Sequence, residues 1–207
     1  MDFATKLETA DVALGAKLAS RRDEPAIKAA GEASQIGDQG PLYAISTALL
    51  LWGICTRNRR LSETGVTLLA AVAAADAGES LTKRLVKRTR PHVLLDEGRY
   101  ESEEGGSPQK PEQSFPSGHM AGSVAFGRAL SRSYPGAGAA CGVASLAMGW
   151  SRVAKGAHWP LDVAAGMVVG LVAEVVTTSL LRGTNLLAPA KRTTFVEKLQ
   201  EKFSRWW

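Results

Sequence analysis

Ser114-Phe115-Pro116-Ser117-Gly118-His119 stands directly before the apolar-periodic segment Met120–Leu130, and the rest of the chain is read outward from it. A proline, two small residues and a histidine leading into such a segment form a helix start whose first N–H groups have no intrahelical partner. Helix N-termini hold anions, because those free amides and the positive end of the macrodipole converge there. Gly118 would let an oxyanion approach the backbone closely. Taken alone, the stretch is also ordinary turn chemistry, and a histidine after it is often a capping or surface residue.

Two further stretches sharpen the choice. Upstream, Lys83 and Arg90-Pro91 are separated by six residues of a basic run that leaves an apolar segment. Downstream, Ser151-Arg152 is followed by His158 and Asp162, so that two of the chain's three histidines fall within these patterns. Cleavage of a phosphate ester or anhydride needs a nucleophile, a proton donor for the leaving oxygen, and positive charge around three equatorial oxygens. Arg90 and Arg152 offer planar forks for phosphoryl oxygens, Lys83 adds a point charge, and the Ser117 hydroxyl with the Gly118 and His119 amides would complete a cradle. His158 and Asp162 are four residues apart at a helix start, a spacing that can bring the carboxylate to one imidazole nitrogen and leave the other lone pair free to attack phosphorus. His119 remains as general acid. Two histidines and an aspartate can also be a metal site, but three cationic side chains in the same pocket would repel a divalent ion. No metal and no cofactor is therefore expected.

The three stretches together resemble the type 2 phosphatidic acid phosphatase superfamily, which also contains bacterial acid phosphatases and vanadium haloperoxidases. The resemblance rests on Lys83, Arg90 and Pro91; Pro116, Ser117, Gly118 and His119; and Ser151, Arg152, His158 and Asp162, and it spans under half the chain. It implies the same roles as the residue chemistry: His158 as nucleophile forming a phosphohistidine, His119 as acid, Asp162 as orienter, and Lys83, Arg90, Ser117, Gly118 and Arg152 as phosphate binders. Substrates of the family include phosphatidic acid, phosphatidylglycerophosphate, polyprenyl diphosphate and lipid A. The competing expectations are a vanadate-dependent haloperoxidase using the same cradle, and a non-enzymatic membrane protein with a relic pocket.

At 207 residues the chain suits one domain, with an amphipathic segment at 1–40, a helical core at 41–184 and a basic tail at 185–207. Apolar blocks run from Pro41 to Cys55, Thr64 to Ala77, Met120 to Leu130, Gly136 to Trp150 and Val163 to Leu181; in the last, 19 residues carry only Glu174 as a charge. The expected fold is an all-α, membrane-embedded bundle of five to six helices, a sixth partial crossing hidden within residues 1–40. The net charge of +5 is concentrated in runs that flank the apolar blocks, which argues for a bilayer partner and against nucleic acid. Cys55 and Cys141 lie inside apolar blocks and act as small hydrophobes. The acidic, polar N-terminus lacks the pattern of a cleavable signal peptide, which argues against an exported soluble acid phosphatase.

If Arg57–Arg60 is cytoplasmic, all three motifs meet on the opposite face, so the expected location is a bacterial-type inner membrane with the site extracytoplasmic. Between residues 86 and 115 a long loop is expected, either a mobile lid or a solvated acidic linker around Glu101, Glu103 and Glu104. Arg84, Lys87 and Arg88 are assigned to surface or headgroup-facing charge, and His92 to a structural or substrate-adjacent role. Phe195, Leu199, Phe203 and Trp206-Trp207 suggest an interfacial tail. Nothing in the sequence sets an oligomeric state or selects among lipid phosphates.

Overall fold

The computed structural model describes residues 3–184, together with Lys202. The tail expected at 185–207 lies outside the described residues apart from Lys202. The chain is all-helical but for a small ribbon: α1 (Phe3–Ala19), α2 (Pro25–Ala33), α3 (Gln39–Cys55), α4 (Arg59–Lys83), β1 (Val86–Arg88), α5 (Pro91–Glu97), β2 (Ser102–Glu104), α6 (Gly118–Ser133), α7 (Pro135–Ala154) and α8 (Pro160–Gly183). The five apolar blocks become α3, α4, α6, α7 and α8. Eight α-helices are described rather than five to six, because α1, α2 and α5 are helices outside the apolar blocks. Among the described residues α8 alone is both long and apolar enough to cross a membrane, and α3 is a shorter apolar helix.

Local chemistry sets the ends of these helices. Asn58 caps α4, its side chain accepting the Leu61 N–H at 3.1 Å. Proline occupies the first turn of α5, α7 and α8, where its missing N–H leaves no helical bond unmade.

The core is a seam of small and branched residues. On α4, Leu68, Ala71, Val72 and Ala75 repeat at helical spacing and pack against Ala121, Ala125, Phe126 and Ala129 of α6. Small residues on both sides let the backbones approach. Gly166 and Gly170 carry this furthest, since a β-carbon at either would lie 2.4 Å from a carbonyl oxygen of Ser117 or Ala121. α8 therefore crosses directly over the first turn of α6. Because successive long helices alternate in direction, the C-termini of α4 and α7 and the N-termini of α6 and α8 share one end of the bundle.

That end is covered by residues 86–115, which carry secondary structure of their own where a long loop was expected. β1 and β2 pair antiparallel, with Val86 opposite Glu104, Lys87 opposite Glu103 and Arg88 opposite Ser102. The acidic residues are held by nearby cations: Lys87 reaches Glu101 at 2.5 Å and Arg99 reaches Glu112 at 2.9 Å, while the Ser107 hydroxyl donates to Glu112 at 2.6 Å. Charge pairing inside the segment turns a stretch that reads as linker into a cap.

Candidate active site

Five segments bring the predicted residues to one cavity of about 380 Å3, lined among others by Lys83, Arg90, Gly118, His119, Arg152 and His158. Lys83 ends α4, Arg90 precedes α5, Gly118 and His119 open α6, Arg152 lies in the last turn of α7, and His158 sits in the α7–α8 turn. Ser117 and Asp162 lie behind this wall, both fully buried.

The nucleophile candidate is tightly held. His158 is buried, and its Nδ1 lies 2.8 Å from the carbonyl oxygen of Ser114. A carbonyl can only accept, so Nδ1 carries the proton and Nε2 keeps its lone pair. Asp162 Oδ2 stands 3.8 Å from the same nitrogen, within ion-pair range and beyond a hydrogen bond. The direct orienting contact thus belongs to the Ser114 backbone, and Asp162 acts on the imidazole through its charge. Burial pushes His158 below the ordinary histidine range; Asp162 opposes this, and the Arg90 and Arg152 charges add to it.

Asp162 ties the three motifs together. Its Oδ1 accepts from Arg88 Nη1 at 2.5 Å. Its Oδ2 accepts the Ser114 hydroxyl at 2.5 Å and the Trp159 N–H at 2.7 Å. Its carbonyl accepts the Ser117 N–H at 3.0 Å. A carboxylate with this many donors is fixed in position and stays ionised although buried.

The cradle residues divide by partner. Lys83 pairs with Glu79 one turn earlier, so its charge is already matched within the site. Arg90 Nη2 reaches the Gln113 carbonyl only at 3.4 Å. The side-chain atoms Arg90 Nε, Arg152 Nε, Ser117 Oγ and His119 Nε2 are buried without a hydrogen-bond partner. His119 Nε2 lies 2.7 Å from Asp38 Oδ1 but out of line for a hydrogen bond. Unsatisfied buried polar atoms are rare, and each leaves a desolvation penalty of roughly 1–3 kcal/mol. Four of them around one cavity match the donors that a tetrahedral oxyanion would engage. A β-carbon at Gly118 would lie 2.8 Å from Glu79 Oε1, so the glycine makes room for that carboxylate.

Sequence reasoning missed Arg88, which it assigned to the surface. The side chain is 3% exposed and bridges Asp162, Asp11 and Glu8. Its signal was strand alternation: in Val86–Arg88 neighbouring side chains face opposite ways, sending Lys87 out to Glu101 and Arg88 inward. Ser114 and Asp38 carry no motif and are legible only in three dimensions. His92 is structural, its backbone N–H donating to the Gly156 carbonyl at 3.0 Å and Nδ1 lying 3.2 Å from the same oxygen. Among the described residues no group of three or more histidine, cysteine or acidic side chains is arranged to hold a metal ion.

A mainly helical bundle thus gathers two imidazoles and three cationic side chains at one end. Residues 64–185 match the PAP2 superfamily profile, and the chain belongs to that family. It is 38% identical over 90 residues to a non-specific acid phosphatase of Salmonella typhi, covering 44% of this chain and 36% of that one. It is 32% identical over 123 residues to a lipid A 1-phosphatase of Rhizobium johnstonii, covering 59% and 50%. The chain thus spans between a third and a half of the length of these curated relatives. Among solved structures, Aquifex aeolicus LpxE is similar with a TM-score of 0.55 at 17% identity, over 80% of this chain and 93% of that one. A transmembrane PAP2-type phosphatidylglycerolphosphate phosphatase of Bacillus subtilis gives 0.60 at 20%, over 90% of each. At these identities the likeness is one of fold.

Proposed function

We propose that this chain is a metal-independent phosphatase that removes a phosphate from a phosphorylated or diphosphorylated lipid at a membrane face, through a phosphohistidine on His158. One observation carries the reading: Arg90 Nε, Arg152 Nε and His119 Nε2, buried without a hydrogen-bond partner, line the cavity together with His158, and Ser117 Oγ lies buried behind its wall, likewise without one. Membership of the PAP2 superfamily and the phosphatase names of the relatives support it.

The residues divide the work as follows. Arg90 and Arg152 bind phosphoryl oxygens and offset charge as it develops. His158 Nε2 attacks phosphorus, forming the N–P bond as the ester P–O bond breaks, and the leaving oxygen takes a proton from His119. Water then attacks phosphorus, giving its proton back to His119, and the N–P bond breaks to release inorganic phosphate. The Asp162 charge stabilises the imidazole while it is positive. Arginine and lysine around the cavity disfavour a divalent cation and favour phosphate.

A bilayer setting is supported by the outer faces of the long helices. Leu51 and Trp52 on α3, Val143, Leu146 and Trp150 on α7, and Val168, Val172 and Leu180 on α8 are exposed apolar side chains, and exposed apolar side chains grouped on helix faces mark membrane or partner surfaces. Arg57 and Arg60 lie at the end away from the cavity, which the positive-inside bias assigns to the cytoplasm, leaving the cavity on the extracytoplasmic face. The test is phosphate release by detergent-purified protein from a panel of phosphatidic acid, phosphatidylglycerophosphate, polyprenyl diphosphate and lipid A, with chelator present. Release from at least one lipid, unaffected by chelator, is expected. Release from none, or only after a divalent metal is added, overturns the proposal.

A further inference from the structure

The N-terminal helix lies outside the family match at residues 64–185, yet it reaches the motif end of the bundle. Its buried residues are Asp11, Gly15 and Ala19, one face at a spacing of four. Gly15 packs on Trp159, the residue after His158, so closely that a β-carbon would lie 2.5 Å from the indole. Asp11 uses both carboxylate oxygens. Oδ1 accepts the Leu161 N–H at 2.8 Å, capping the exposed start of α8 from another helix. Oδ2 accepts from Arg88 Nη2 at 2.7 Å.

Arg88 makes four side-chain hydrogen bonds. Nη1 donates to Asp162, Nη2 to Asp11 and to Glu8 at 3.1 Å, and Nε to the Tyr100 hydroxyl at 3.2 Å. Tyr100 in turn donates to Glu8 and stands edge-on to Trp159, with ring centroids 5.5 Å apart. The guanidinium lies 5.7 Å from the Trp159 ring centroid. Trp159 binds both sides of the cluster, through Nε1 to the Thr89 carbonyl and through its N–H to Asp162, each at 2.7 Å. Only a planar fork can bridge two carboxylates in this way; an ammonium is a point charge without that geometry.

We infer that Asp11, supported by Glu8, is a positioning residue for the proposed phosphatase: through Arg88 it fixes the place and the effective charge of Asp162, and through Asp162 those of His158. The inference rests on the phosphatase reading. One guanidinium shared between two buried carboxylates leaves net negative charge beside His158, which the imidazole needs when it becomes positive on attacking phosphorus. With Asp11 neutral, Arg88 compensates Asp162 fully and that stabilisation is lost. The charged and titratable groups facing His158 are Asp162 from α8, Arg90 from the segment before α5, Arg152 from α7 and His119 from α6. Of these, only Asp162 is reached from Asp11, through Arg88, while Arg90, Arg152 and His119 have no contact with it, so a shift in His158 reports the relay itself.

The test is Asp11→Asn in the full chain, which keeps the side-chain shape and an acceptor for Leu161. Two readings are taken: steady-state phosphate release, and the NMR titration of His158 in labelled protein, assigned by its loss in His158→Ala. We expect kcat to fall about tenfold with KM little changed, the low end of what partners one step behind a reacting ligand contribute. The His158 titration moves to lower pH, because a nearby negative charge has gone. Arg88→Lys, which keeps the charge and loses the fork, gives a similar fall, and the double variant is no worse than the single ones. Wild-type kcat with an unmoved titration overturns the inference, whatever happens to thermal stability, and leaves α1 as a structural clamp. If Asp11→Asn does not fold, Glu8→Gln on the more exposed flank decides by the same two readings, with a smaller loss expected. Should wild-type protein release no phosphate, the functional proposal fails, while the titration still decides the relay.

Discussion

Replacing Gly166 by alanine tests whether close packing of α8 on α6 sets the distance between the two halves of the site. A β-carbon at Gly166 would lie 2.4 Å from the Ser117 carbonyl oxygen and 2.9 Å from Met120 Cβ, where ordinary contact begins at 3.4 Å. Backbone cannot swing aside as a long side chain can, so α8 must move away by about 1 Å, the gap between the 2.4 Å approach to the Ser117 oxygen and the 3.4 Å of ordinary contact. That shift separates Asp162 and His158 from Ser117, Gly118 and His119, and it strains the 3.0 Å bond from the Ser117 N–H to the Asp162 carbonyl. Overpacking of this kind costs roughly 1–3 kcal/mol of stability. A misplacement of about 1 Å between reacting groups costs on the order of a hundredfold in rate. The assay is kcat and KM for phosphate release in detergent, with thermal unfolding alongside. Gly183→Ala is the control, because nothing lies within 4 Å of a β-carbon there. A folded Gly166→Ala protein whose kcat stays within about twofold of wild type would refute the reasoning.

His158→Ala and His119→Ala are expected to abolish turnover while the protein folds, and unchanged phosphate release by either would remove that residue from its proposed role. Asp162→Asn should lower kcat by less than loss of His158 does; Arg88 keeps Asp11 and Glu8 as counter-charges, so the loss of the Asp162 hydrogen bonds should lower stability by roughly 1–3 kcal/mol, seen in denaturant unfolding; an unaltered midpoint would contradict the ion cluster. Because burial holds His158 below the ordinary histidine value, this group contributes its full stability above an unfolded pKa of about 6.5 and loses it as pH falls from there toward its lower folded pKa. The same shift keeps the imidazole neutral in mild acid, so the acid limb of kcat/KM assigned to His158 should lie below about 6.5, and a limb above that value would refute the assignment.

The motifs were legible in the sequence because each is local. Pro116-Ser117-Gly118 starts α6 and Pro160 starts α8 by backbone chemistry acting within one turn, and helical spacing of apolar residues announced α3, α4 and α6 to α8. Which side chains share a cavity followed from helix ends alone, since alternating directions bring Lys83, His119, Arg152 and His158 to one side. What no local pattern contained was the pairing between distant segments. Residues 86–115 look like acidic linker until Lys87 and Arg99 are seen beside Glu101 and Glu112. Arg88 is one basic residue among several until Asp11, 77 positions away, meets it in a dry interior. Ser114 rather than Asp162 makes the hydrogen bond to His158 because a backbone carbonyl, which every residue carries and no sequence distinguishes, happens to be delivered there by the fold. Periodicity and turn chemistry act over a few residues and so belong to the sequence; burial of charge depends on which segments exclude water together, and only the tertiary structure decides that.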